Sequence, residues 1–349
     1  MTAAPTDLVR LGLALDDLSL VQGAGGNVSV KDGAGVWIKA SGRRLRDLVD
    51  ESGRAWVPLD LLLRANRGEA GAEAEIFAHR PRPSLEALFH ALPFRVVAHT
   101  HPIGVCLHAC ARGPLPAGLI PDGVAFVDVP YARPGAALAR AVAAGGDSAG
   151  VLGAGPLCFI LRNHGLLVAA HDVDDATGLT WEIERRAIGL AASLQAEPLT
   201  TIAAVVAELQ APPLRAVGRA AQPATLMRAL PPRPDPSLPP LFPDAAVFGQ
   251  ELAIDPARFY DDELLAATFH QRRASSAVMI LTSEHRRVLV GTNAEALASA
   301  TEVLAAALLL ERTLVPSDRA APLLETEAAA LVALPSERYR SAGPPAPQS

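Results

Sequence analysis

One apolar run in this chain ends in a pair of histidines. Phe94-Arg95-Val96-Val97-Ala98 leads into His99-Thr100-His101, and Pro102 follows at once. The run reads as a strand, and in a strand residues i and i+2 share a side, roughly 6–7 Å apart along the backbone. Both imidazoles can therefore reach one metal ion, whose bonds to nitrogen are about 2.0–2.1 Å long. A third histidine, His164, closes another apolar run, Cys158-Phe159-Ile160-Leu161-Arg162-Asn163. Three neutral imidazoles with a fourth position open form the donor set of a catalytic zinc rather than a structural one. The alternative is that two of the nine histidines merely fall at i, i+2 on a surface strand.

With 349 residues, half of them apolar and 19% charged, the chain is a core-forming globular protein of one large or two ordinary domains. The net charge of -6 and the absence of a basic cluster predict no nucleic-acid role. Cys106, Cys110 and Cys158 are odd in number and lack Cys-x-x-Cys spacing, which fits a reducing cytoplasm. Cys106-Leu107-His108-Ala109-Cys110 reads either as a second metal site or, more simply, as the buried face of a helix. The first residues lack a basic and apolar leader pattern, so no secretory signal is expected. The longest apolar stretch, Val303 to Leu310, falls far short of the ~20 residues of a membrane span, so no membrane partner is expected.

Residues 1–209 read as alternating short strands and helices, an α/β layer on one central sheet. A first helix is expected from Asp7 to Leu18, then strands Asn27–Lys31, Val36–Ala40 and Ala55–Pro58. A helix begins near Ser84, and others cover Ala136–Ala144 and about Asp174–Glu197, with a strand at Leu157–Arg162. Residues 210–240 contain a dense series of prolines and read as an extended linker. A small α/β unit is expected over 241–335, with strands Ala245–Phe248, Ala277–Leu281 and Arg287–Val290 and a helix Asn293–Arg312. Residues 336–349 are expected to be a disordered tail.

Further chemistry-bearing residues flank the histidines. In Arg82-Pro83-Ser84-Leu85-Glu86, Ser84 is a good N-cap. A capping box would place its acid at Ala87, so capping does not fully explain Glu86. An acid in a first helical turn is favoured by about 0.3–1 kcal/mol; beside a metal the same carboxylate is placed to act as a general base. Gly23-Ala24-Gly25-Gly26-Asn27 and Lys39-Ala40-Ser41-Gly42 are glycine turns that can aim backbone N–H groups at an anion. Each is also an ordinary turn sequence. Tyr131, in Val129-Pro130-Tyr131, reads as a packing tyrosine or as a proton donor.

Taken in order, these segments resemble the class II aldolase/adducin family, the zinc-dependent sugar-phosphate aldolases of the fuculose- and rhamnulose-phosphate type. The segments are Gly-Gly-Asn-Val-Ser-Val-Lys, Lys-Ala-Ser-Gly, Pro-Ser-Leu-Glu, His-Thr-His-Pro, Pro-Tyr-x-x-x-Gly and Asn-His-Gly, and the resemblance covers about residues 5 to 200. The wording is most similar to the aldolase part of rhamnulose-phosphate aldolase/dehydrogenase fusions and their stand-alone relatives. No dehydrogenase half is expected over residues 241–335, which are too few for one. The resemblance implies a three-layer α/β/α domain around a central, mainly antiparallel sheet, plus the smaller C-terminal α/β unit.

It also implies roles. His99, His101 and His164 are similar to the zinc ligands, other divalent metals being open. Glu86 is similar to the acid/base at the enediolate carbon, and Asn27, Ser41, Gly42 and Ser84 to the phosphate binders. Tyr131 is similar to a tyrosine that enters from a neighbouring subunit, which implies a homo-oligomer, with a tetramer expected. The implied reaction is cleavage of a ketose, in the first instance a ketose 1-phosphate, into a dihydroxyacetone-type fragment and an aldehyde through a metal-bound enediolate. Epimerase, dehydratase or decarboxylase activity on the same scaffold, or an adducin-like interaction role, are the alternatives. One departure stands out: the simplest family aldolases place two serines before the glutamate, and here the second is Leu85.

Overall fold

The computed structural model describes residues 3–149, 155–191, 200–217, 225–256, 259, 261–272, 277–284 and 286–334. The chain divides into two compact units, Met1–Glu197 and Pro198–Ser349.

The first unit runs α1 (Ala3–Leu15), β1 (Asn27–Lys31), β2 (Gly35–Lys39), β3 (Arg54–Pro58), α2 (Leu59–Asn66), α3 (Ala72–Ala78), β4 (Val96–Thr100), α4 (Ile103–Ala109), β5 (Ala125–Val129), α5 (Ala136–Ala149), β6 (Leu157–Leu161), β7 (Gly165–Ala170) and α6 (Val173–Ala191). Its seven strands form one sheet in the order β3-β2-β1-β4-β7-β6-β5. Only the β5–β6 pair is parallel. The sheet is thus central and mainly antiparallel, as the resemblance implies.

Alternation along the strands builds the layers. In β4, Val96 and Ala98 enter one core while Val97 enters the other. In β7, Leu166 and Val168 oppose Leu167 and Ala169 in the same way. The first core is covered by α1, α4 and α6; Leu8, Leu11 and Leu15 line one stripe of α1 at helical spacing. The second is covered by α2, α3, α5 and a tight 3-10 turn, Ala87–Ala91. Each fully buried Leu, Val or Phe contributes roughly 1.5–3 kcal/mol, so register is strongly set: a slip by one residue would exchange the two cores.

The helix expected from Ser84 is only that 3-10 turn. Ser84 accepts from the Glu86 N–H at 3.3 Å through Oγ and from the Ala87 N–H at 3.1 Å through its carbonyl, closing a local turn instead of capping a helix. Pro93 bounds the segment on its C-terminal side.

The second unit contains α7 (Ile202–Gln210), β8 (Arg215–Val217), β9 (Thr225–Leu230), α8 (Pro243–Phe248), β10 (Glu251–Ala253), α9 (Asp262–Arg272), β11 (Val278–Ser283), β12 (Arg286–Gly291), α10 (Ala294–Leu314) and α11 (Glu325–Ala333). Its sheet has the order β10-β11-β12-β9-β8. Two expectations are corrected here. Within 210–240, β8 and β9 are sheet strands, and β9 lies between β12 and β8; the proline-dense stretch begins only at Pro231. Ala245–Phe248 is helical, because Pro243 presets the first-turn φ and Asp244 suits the helix N-terminus. Every residue of α8 is buried, so its apolar run could not be told from a strand by periodicity. The expected helix over Asn293–Arg312 is α10, capped by the Asn293 side chain, which accepts from the Ala296 N–H at 2.8 Å. The expected tail, 336–349, lies outside the described residues.

Candidate metal centre and active site

The three histidines converge at one end of the first sheet. His99 lies on β4, where it is wholly buried. Its Nδ1–H donates to the Leu166 carbonyl on β7 at 2.9 Å. A carbonyl can only accept, so the proton is on Nδ1 and the Nε2 lone pair faces the other rings. Burial lowers the His99 pKa to about 3 and keeps the ring neutral, the form that binds a metal. His101 follows just past β4, and its Nε2 lies 3.1 Å from His99 Nε2.

His164 arrives from the β6–β7 turn. Asn163 takes a left-handed φ of 55°, which Asn tolerates. Gly165 then passes so close to β4 that a Cβ would collide with the Thr100 carbonyl oxygen. That approach brings a donor atom of each of the three buried imidazoles within 4.8 Å of the other two. Among the described residues no other His/Cys/Asp/Glu group is so arranged; the helix face carrying Cys106 and Cys110 is simply buried, as the plainer reading expects.

Glu86 faces the cluster from the turn before Ala87–Ala91. Its Oε1 lies 3.2 Å from His164 Nε2 and its Oε2 lies 3.4 Å from His99 Nε2. Oε2 accepts from Asn27 Nδ2 at 2.8 Å; Asn27 is the cross-strand neighbour of His99 in the β1–β4 pairing. Burial raises the Glu86 pKa, but the facing histidines and the Asn27 donor outweigh it and leave the carboxyl below its ordinary value. Oε1 is buried and, among the described residues, has no hydrogen-bond partner. A carboxylate oxygen held there among inward-facing ring nitrogens requires a cation or a proton between them. The donor set therefore fits a divalent metal.

The serine-bearing turns come together beside this cluster's glutamate. Ala40 bridges Pro83. The Ser41 N–H donates to the Arg82 carbonyl at 2.8 Å and the Ser84 N–H to the Lys39 carbonyl at 3.1 Å. Ser41, Gly42 and Ser84 are thus neighbours, with Gly42 at a left-handed φ of 74°. Lys39, which sequence reasoning did not single out, is buried beneath them. Its ammonium donates to the Ala24 carbonyl at 2.8 Å and the Arg43 carbonyl at 2.5 Å, tying the two glycine turns together. The available signal was a charged residue ending the apolar strand Val36-Trp37-Ile38. Asn27 is placed differently from the serines: its amide is engaged with Glu86 and with His90. Tyr131 follows β5, and the segment carrying it passes Leu85, which a Cβ on Gly135 would approach to 3.5 Å. His90 and Ser29, also not singled out, are wholly buried behind Asn27.

The family model of the class II aldolase and adducin N-terminal domain matches residues 6–188. The chain belongs to the class II aldolase and adducin family. Over 154 residues this aldolase-family chain is 31% identical to YuxG of Bacillus subtilis (strain 168), described as an uncharacterized oxidoreductase. That alignment covers 39% of this chain and 22% of the relative, so the chain spans about a fifth of that protein. Among solved structures, the N-terminal class II aldolase domain of a Thermoplasma acidophilum protein is 26% identical, covering 53% of this chain and 92% of that one, with a TM-score of 0.43. The L-fuculose-1-phosphate aldolase of Thermus thermophilus is 21% identical, covering 57% of this chain and 100% of that one, with a TM-score of 0.39. No described helix of this family member is long and apolar enough to cross a membrane.

Proposed function

We propose that this chain is a zinc-dependent aldehyde-lyase that cleaves a ketose, with a ketose 1-phosphate as the substrate its serine turns fit. The observation that carries the reading is the buried Glu86 carboxylate, 3.2 Å from His164 Nε2 and 3.4 Å from His99 Nε2. A zinc ion held by His99, His101 and His164 would supply Lewis-acid polarisation of the substrate carbonyl.

The protein's own groups divide the remaining work. Asn27 Nδ2 occupies Oε2 of Glu86, so Oε1 is the oxygen that exchanges a proton. In cleavage, a base takes the C4 hydroxyl proton, the C3–C4 bond parts, and Glu86 delivers a proton to C3. Ser41, Gly42 and Ser84 bind the anionic end of the substrate, with the buried charge of Lys39 beneath them. Leu85 leaves that anion one hydroxyl fewer than two serines would. We assign Tyr131 to the C4 oxygen across the interface of a cytoplasmic homo-oligomer, most simply a tetramer. Glu86 beside the histidines favours aldol cleavage over retro-aldol epimerisation; product analysis separates cleavage from epimerisation, dehydration and decarboxylation.

The test works whichever aldehyde is released. Metal-loaded protein incubated with dihydroxyacetone phosphate in heavy water exchanges one carbon-bound proton, followed by NMR, and Glu86→Gln slows the exchange about 10²–10⁴-fold. Wild-type protein that carries metal yet exchanges nothing and cleaves no ketose phosphate refutes the reading.

A further inference from the structure

Behind Glu86 runs a hydrogen-bond chain whose direction is fixed at every link. The Glu86 carboxylate accepts at Oε2 from Asn27 Nδ2, at 2.8 Å. A carboxylate only accepts, so the NH2 end of the Asn27 amide must face it and Oδ1 must face the other way. Oδ1 meets His90 Nε2 in a short contact. An amide oxygen also only accepts, so His90 Nε2 carries a proton. His90 Nδ1 lies 2.6 Å from Ser29 Oγ. Burial, with Lys31 and His99 adding to it, holds the His90 pKa well below its ordinary value, so the ring is neutral. A neutral ring protonated at Nε2 accepts at Nδ1, and the Ser29 hydroxyl must donate to it.

Asn27 is 2% exposed, and His90 and Ser29 are not exposed at all, so the chain is closed to bulk water. The sheet register explains why these residues meet. Asn27 and Ser29 point to the same face of β1, opposite His99 and Val97 of β4, and His90 descends onto that face from the turn that carries Glu86.

We propose that His90 and Ser29 are positioning residues for Glu86, acting through Asn27. With Ser29 donating to Nδ1, His90 is held in the Nε2–H tautomer; that tautomer locks the Asn27 amide with its NH2 on Glu86; and the locked amide occupies Oε2 and presents Oε1 to the substrate. Only one N–H of Asn27 is left for any other partner. If His90 lost its Nε2 proton, the amide would be free to turn its oxygen toward the carboxylate, and Glu86 would lose its orientation. The proposal deepens the reading of Glu86 as the proton-exchanging group and rests on that reading for its catalytic consequence.

The first arm of the test needs no turnover. Long-range 1H–15N correlation of the histidine rings in the metal-loaded wild type, assigned against His90→Gln, shows His90 neutral and protonated on Nε2. A ring protonated on Nδ1, or on both nitrogens, overturns the proposal. The second arm is kinetic and follows proton exchange on dihydroxyacetone phosphate. His90→Leu lowers kcat about 10–100-fold, the usual effect of removing an outer-shell partner. KM and the metal content measured by elemental analysis are retained. His90→Gln, which keeps a donor at the ε position, recovers most of that loss, and Ser29→Ala falls between wild type and His90→Leu. Unchanged kcat in folded, metal-loaded Ser29→Ala and His90→Leu overturns the proposal. Protein with the Nε2–H tautomer that exchanges no proton in any form would refute the proposed reaction and leave the hydrogen-bond assignment standing.

Discussion

The two sheets bury polar side chains on different terms. At the end of the seven-stranded sheet, Asn27, Ser29, His90, His99, His101, His164 and Glu86 are buried together, and Glu86 Oε1 has no hydrogen-bond partner among the described residues. In the second unit, by contrast, the buried Glu311 carboxylate is matched by the Arg233 guanidinium at 2.7 Å. The core beside that second sheet is built of Met227, Phe269, Leu281 and Val290. Burying an ion is costly unless a partner compensates it within the fold. In the second unit Glu311 meets that cost with an ion pair inside the fold. In the first, the Glu86 carboxylate leaves part of it uncompensated among the histidines, which is where a cation and a substrate would supply what is missing.

That contrast can be broken experimentally, and His101→Ala is the harshest trial. Elemental analysis of protein purified without a histidine tag should find near-stoichiometric metal in the wild type and almost none in the variant, with proton exchange lost as well. Metal retained in the variant would mean that the buried donors at the sheet end are not its site. Next in size, Glu86→Gln should lower turnover about 10²–10⁴-fold while metal stays bound. Turnover equal to wild type would place Glu86 among the merely structural buried acids.

A smaller effect is expected across the comparison. Glu311→Ala leaves Arg233 without its carboxylate, at roughly 2–3 kcal/mol of unfolding free energy. The figure sits below that of a fully enclosed pair because Arg233 remains 17% exposed. Denaturant titration reads the loss, and metal content and proton exchange should not move; a fall in either would show that the second unit contributes to the site.

The gentlest trial asks whether another buried acid of the first unit is functional. Glu184 on α6 accepts from the Gly104 N–H at 2.8 Å and the Val105 N–H at 3.1 Å at the start of α4. Burial raises its pKa to about 8, against those two donors. The folded chain therefore keeps this proton up to about pH 8, whereas the unfolded chain releases it near 4.5. Wild-type stability should fall as pH rises across that window, by at most about 1.4 kcal/mol per pH unit. Glu184→Gln, which cannot titrate, should lack that component of the slope in denaturant melts between pH 5 and 8, with metal content unchanged. Identical slopes would mean that the carboxyl is ionised in the fold.

Residue by residue, legibility followed how local each feature is. The His99–His101 pair was readable because two residues on one strand share a side whatever the rest of the fold does. Strands β1 and β2 and helix α10 were readable from periodicity and from the Asn293 cap. Helix α8 reads as a strand because a fully buried run has no polar face to reveal its period, and β8 and β9 are obscured by the proline-rich stretch beside them. Lys39, His90 and Ser29 gave almost no signal: a single buried polar residue looks the same in sequence whether or not a partner awaits it.

By itself, the sequence determined the residue types that can hold a metal, the two glycine turns, and the order of family motifs along the first unit. Tertiary structure decided which of them meet. Asn27 lies opposite His99 because the apolar alternation of β1 and β4 fits two cores in only one register. His164 joins the cluster because Gly165 lets a hairpin close against Thr100. Local spacing fixes directions within a strand; pairing between residues some sixty positions apart, such as Asn27 and Glu86, is fixed only by the packing of both faces of the sheet.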